Sequence, residues 1–154
     1  MHLSWQDFED RLVHALQQRG IATASEIGWA CVWLQACGYP GLTLLGEALA
    51  DDGRTLTLTR DALGIDLRNI SCLYLGPAVV DEVVRNGRAY LRNVRHGLYL
   101  LPFSVRHGLA IGCPVNPAFA LGGSRDKNPY TEKVETAERD GLKADEAALQ
   151  AIGA

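Results

Sequence analysis

No stretch of 18 apolar residues interrupts these 154 residues, and the opening MHLSWQDFED has neither a basic n-region nor an apolar core segment. A membrane span and export are therefore not expected, and the expected location is the cytoplasm. Lys and Arg never form a run longer than two, and the formal charge is −3 with a pI near 5.8. The chain thus lacks the basic footprint that binding to a phosphate backbone needs, and no nucleic-acid partner is expected. A Gly-rich phosphate loop, His-Glu-x-x-His and Gly-x-Ser-x-Gly are all missing, so no motif marks a nucleotide site, a zinc protease or a serine hydrolase. The four cysteines, Cys31, Cys37, Cys72 and Cys113, form no Cys-x-x-Cys pair. They read as buried free thiols rather than metal clips, and neither metal nor cofactor is expected.

What is present is enough apolar material, 47% against 21% charged, to build a hydrophobic core without crosslinks. Ser4 is placed to cap a first helix by accepting from the Asp7 amide, with Trp5, Phe8, Leu12, Val13 and Leu16 at helical spacing and Gly20 as the stop. Thr23-x-x-Glu26 has the form of a capping box before a second helix, in which Ile27, Ala30, Cys31, Leu34 and Cys37 share a face. Trp29 and Trp33 make a second apolar strip beside it, and Gly38 ends the helix. A third, short helix follows Pro40, with Leu42, Leu45 and Leu49 on a stripe.

The period then changes from helical to two. RTLTLTR (54–60) predicts a half-exposed strand and NISCLYLG (69–76) a buried one. Gly76-Pro77 predicts the start of a helix that Asn86-Gly87 ends, and RAYLRNV and LAIGC predict further short strands. Adjacent Asp81 and Glu82 point to different sides of that helix, which excludes them as a facing acid–base pair. Residues 124–140 are rich in charged and small residues, which predicts an exposed arm, with a last helix over 143–152. The expected class is α+β: N-terminal helices packed with a small mixed β-sheet and crossover helices, as one globular domain over 1–123 with a polar arm over 124–154.

VRHGLYLLPFSVRHGL (94–109) spells Val-Arg-His-Gly-Leu twice, eleven residues apart. On one continuous helix His96 and His107 would stand about 16 Å apart, at about 1.5 Å per residue, too far to share a metal. Pro102 and the two glycines argue against such a helix. The first copy reads as a turn after a strand and the second as a helix end, with Arg106 and His107 facing the negative dipole and Gly108 in a left-handed cap. His107 precedes Cys113 by six positions. A cysteine next to a conformationally fixed proline at a strand end is a place where a nucleophile can be presented. The one catalytic set the sequence suggests is therefore Cys113 as nucleophile, His107 as base and Asn116 as orienter, with Arg106 favouring the thiolate. Gly122 and Gly123 are candidate amide donors to a bound anion.

The stretch ATASEIGWACVWLQACGYPGL resembles the opening of bacterial domain-of-unknown-function family 3726, through Glu26, Ala30, Trp33, Leu34, Gly38 and Gly41. GPAVVDEVV and LYLLPF look like that family's middle, and LKADEAALQAI is similar to its last helix, so that about two-thirds of the chain is covered. Members of that family tend to continue into a Gly-Ala-rich ending that is absent after Gly153-Ala154. The resemblance implies a bacterial protein and no established activity. A fainter likeness joins the second helix to the N-terminal region of the non-Rossmann malate/lactate dehydrogenases, whose Ser-His-Gly element is absent from GYPGL.

From these observations the expected function is a non-enzymatic small-molecule-binding or subunit-interaction module. The alternative is a cysteine-dependent enzyme with its site around His107, Cys113 and Asn116. The surplus apolar strip at Trp29 and Trp33 predicts a homodimer of two-fold symmetry.

Overall fold

In the computed structural model the described residues are 1–51, 53–109 and 130–154. The architecture is α+β. The chain divides into two compact units, Met1–Ala50 together with Tyr130–Ala154, and Asp51–Pro129.

The first unit is almost all helix. Ser4 accepts from the Asp7 amide at 3.1 Å and starts α1 (Trp5–Gln18), which buries Phe8, Leu12 and Leu16. Helix α2 (Ala24–Ala36) packs on α1, on α3 (Gly41–Ala50) and on α6 (Thr131–Asp140). The capping box expected at its start does not form, because Thr23 makes no side-chain cap bond. Packing holds α2 instead: Ile27, Ala30, Cys31, Leu34 and Cys37 are buried as expected, and so are Trp33 from the second strip and Val32. The cover over Trp33 is Tyr130, whose ring meets it edge-on at a centroid distance of 5.1 Å. The Tyr130 hydroxyl lies 2.9 Å from that of Tyr39. The apolar strip that predicts a dimer thus finds its partner within the chain at Trp33, while Trp29 remains half-buried.

The segment expected as a polar arm over 124–154 is described from Tyr130 onward, and the last helix expected over 143–152 is present in it. It contains α6, β5 (Leu142–Lys143) and α7 (Glu146–Ala151), the last capped by Asp145 through the amides of Ala147 and Ala148. Strand β5 pairs antiparallel with β1 (His2–Leu3), and α7 packs on α3. Arg11 joins the two ends of the sequence by donating to Glu146 and to the Ala154 carbonyl.

The second unit holds a three-stranded mixed sheet of β2 (Thr59–Asp61), β3 (Gly64–Asp66) and β4 (Leu91–Arg92), in that order, with β3 and β4 parallel. The strand predicted over 54–60 is confined to its last two residues and Asp61. The strand predicted over 69–76 is instead the beginning of α4 (Cys72–Asn86), which Ser71 caps by accepting from the Leu73 amide. Gly76-Pro77 therefore lies inside a helix rather than before one. Gly76 is there for space: a Cβ would stand 2.4 Å from the ring of Phe103 on α5 (Leu100–Arg106). The two pentapeptide copies do serve different elements. His96 takes a left-handed conformation before a 3₁₀ turn over Gly97–Tyr99, and the second copy ends α5 with Gly108 at φ +67°.

Candidate functional site

Helix α4 faces the sheet with an acidic residue. Glu82 is buried at 7% exposure, and each of its oxygens has a partner. Arg60 of β2, the register partner of buried Ile65, reaches across to donate to Glu82 Oε2 at 2.5 Å. Asn86, one turn on, donates to Oε1 at 2.5 Å, and Arg85 lies 3.6 Å from Oε2. The Arg60 hydrogen bond first, and Asn86 in support, hold the Glu82 carboxyl below the usual glutamate range, against a desolvation that acts the other way.

This cluster is one wall of an open cleft of about 430 Å³. The other wall is the chain that leaves α4: Gly87 in a left-handed cap, then Arg88, Ala89 and Tyr90. Gly64 forms the corner, at φ +121°, where a Cβ would stand 2.7 Å from the Tyr90 carbonyl. Tyr90 is 64% exposed, and its hydroxyl accepts from Arg88 Nη1 at 3.2 Å. A volume of this size and a mixture of ring, amide and charged groups suit a small ligand. Two further clefts, of about 450 and 370 Å³, lie in the first unit and share Gln35, but their lining offers a Glu132 and Lys133 of opposite charge in one and an Asp145 already used as a helix cap in the other.

A second cluster sits where the parallel strands β3 and β4 end. Arg68, Asn69, Asn93 and His96 all have φ between 51° and 58°, and such strain is common at functional sites. Here it has a structural cause. Asp66 accepts from the Arg68 amide and from Asn93 Nδ2, and the Asn69 amide donates to the Asn93 carbonyl, so the two loops tie each other down. Those bonds, Asn93 first, also hold the Asp66 carboxyl low. Ser71 Oγ and His96 Nδ1 are 2.7 Å apart, the spacing of a nucleophile and its base. Ser71 is nevertheless fully buried, and the amides after it are occupied: Cys72 donates to the Arg95 carbonyl, Leu73 to Ser71 Oγ, and Tyr74 and Leu75 to the Ser71 carbonyl. No amide of that first turn is left to stabilise an oxyanion, and the pair acts as a lock on the start of α4.

The residues singled out from sequence are placed as follows. Arg106 is the last residue of α5 and His107 its C-cap, both exposed. Cys113, Asn116, Gly122 and Gly123 lie outside the described residues, and so does the strand expected at LAIGC beyond Leu109. Cys31, Cys37 and Cys72 are free and buried. Burial pushes the Cys37 and Cys72 thiols up to about 12, with Lys133 opposing slightly at Cys37 and the Arg95 hydrogen bond at Cys72. Among the described residues no group of three His, Cys, Asp or Glu is set to hold a metal ion, and no helix is long and apolar enough to cross a membrane.

Glu82 was visible in the sequence only as half of a rejected pair with Asp81. Its true partners were signalled in part by Glu82-x-x-Arg85 and Glu82-x-x-x-Asn86, both of which face one another on a helix. Nothing in the sequence pointed to Arg60. No known protein family, curated protein or solved structure matches the chain.

Proposed function

We propose that the protein is a small-molecule-binding module whose ligand occupies the cleft between Glu82 and Tyr90. The observation that carries this reading is the buried Glu82 with both oxygens satisfied. It fixes Arg60 and Asn86 in one arrangement, so that one wall of the cleft is preorganised before any ligand arrives. Nothing described in the cleft pairs a nucleophile with a base, which favours binding over catalysis. Kinship with domain-of-unknown-function family 3726 is part of the proposal and adds no activity to it. The cysteine-dependent alternative would need His107, at the exposed end of α5, to meet Cys113.

Amide NMR with a set of fragments of mixed charge tests the reading. Shifts that cluster at Arg60, Gly64, Glu82, Asn86 and Tyr90 are expected. Shifts that cluster elsewhere, or are absent for every fragment, contradict it.

A two-fold dimer is a second proposal, supported by exposed apolar side chains of the second unit, Leu63 at 73% and Val84 at 53%. Sedimentation equilibrium should then show twice the chain mass of 16.7 kDa. A single species at the chain mass removes this proposal.

A further inference from the structure

We infer that the ligand of the Glu82–Tyr90 cleft carries an oxyanion, a carboxylate or a phosphate ester, held by Arg88 and Tyr90; this deepens the binding reading above and rests on it. The cations around the cleft are not equivalent. Arg60 and Arg85 share the Glu82 carboxylate, and Arg92 pairs with Asp61. Arg88 lines the cleft and has no carboxylate partner among the described residues. Its Nη1 donates to the Tyr90 hydroxyl, so the oxygen of that hydroxyl is the acceptor and its own proton faces away from Arg88. The remaining guanidinium N–H groups and the phenol O–H are thus donors standing side by side. Both belong to exposed residues, and neither has an acceptor among the described residues. Convergent donors of this kind, one of them a guanidinium, match the two or three oxygens of a carboxylate or phosphate. The Tyr90 ring adds an exposed face for a planar ligand body.

The wider charge distribution agrees. Residues 51–129 contain ten Lys and Arg against seven Asp and Glu, a formal +3, whereas 1–50 with 130–154 contain five against eleven, a formal −6. The cleft therefore belongs to the positive unit of an acidic chain.

Calorimetric titration of the 154-residue chain at low salt with benzoate, phenyl phosphate and benzylamine tests the assignment. Benzoate or phenyl phosphate should bind at least about tenfold more tightly than benzylamine, and whichever of the two binds better identifies the oxyanion as carboxylate or phosphate. Because a hydrogen bond to a charged group is involved, Arg88→Ala should weaken the preferred anion about ten- to a hundredfold. Tyr90→Phe should weaken it by a smaller factor. Arg88 is exposed, so an unchanged melting temperature for Arg88→Ala is expected and shows that the loss is local. Equal or tighter binding of benzylamine, or anion binding that Arg88→Ala leaves unchanged, overturns the oxyanion assignment while fragment shifts at the cleft would still uphold the binding reading. Failure of both anions to bind overturns the assignment as well.

Discussion

Glu82 owes its place to three side chains, of which helical spacing signals Arg85 and Asn86 but not Arg60, and its titration makes that dependence measurable. The carboxyl is held below its ordinary value chiefly by the Arg60 hydrogen bond, so the contribution to stability is complete above the unfolded glutamate range and is lost as pH falls through the depressed folded value. Glu82→Gln should therefore reduce stability at neutral pH and flatten the loss seen on acidification. Urea denaturation at neutral and acidic pH checks both, and an acid limb unchanged in the variant would contradict the assignment. The thiols give a second residue-scale expectation. With Cys37 and Cys72 pushed to about 12 and Cys31 fully buried, none of these three should react with a thiol reagent in the folded protein at about pH 8. Counting thiols released before and after denaturation checks this, and more than one fast thiol among the four would contradict it. Burial of these cysteines was legible in sequence because Cys72 lies in an apolar run and Cys31 and Cys37 on the apolar face of the second helix. The role of Glu82 was not, since a strand residue 22 positions away supplies its main partner.

Among the elements, α1 and α5 were readable from local start and stop signals, whereas α2 was readable from its apolar face although the cap expected for it does not form. Helix α1 has its Ser4 cap and α5 its left-handed glycine, and both form where their signals lie. Helix α4 begins four residues before Gly76-Pro77, because Ser71 supplies the cap and Phe103 occupies the space a side chain at Gly76 would fill. Gly76→Ala should consequently destabilise the second unit, by about 1–3 kcal/mol if the ring shifts to make room. A denaturant midpoint equal to that of the parent protein would show that the ring moves freely. Helix α6 was missed because a single side chain within it, Ala137, is buried, leaving no apolar stripe to read. Its neighbour Tyr130 does the packing, against Trp33. Trp33→Ala should cost about 3–5 kcal/mol, the usual range for truncating a buried large aromatic. A loss below about 1 kcal/mol would place that ring at the surface.

At the scale of the whole molecule the chain closes its first unit with residues from both ends of the sequence. The β1–β5 pairing involves two residues on each strand, too few to leave a pattern, and Arg11 reaches Glu146 across 135 positions. Sequence periodicity has no means of showing such a return, which is why 130–154 reads as an arm although it carries the cover for Trp33. Removing 130–154 should expose that ring, shifting tryptophan emission to the red and lowering the unfolding midpoint; unchanged emission would contradict the packing. The division also separates charge, and only when 1–50 and 130–154 are counted together does the second unit stand out as the positive one. On that unit lies the cleft from which the functional reading comes. Crystals soaked in 4-bromobenzoate test that reading most directly, because the bromine marks the ligand through its anomalous signal. The strongest peak is predicted between Arg88, Tyr90 and Asn86, with the carboxylate on Arg88. Strong bromine peaks at other surfaces with none in this cleft would contradict it.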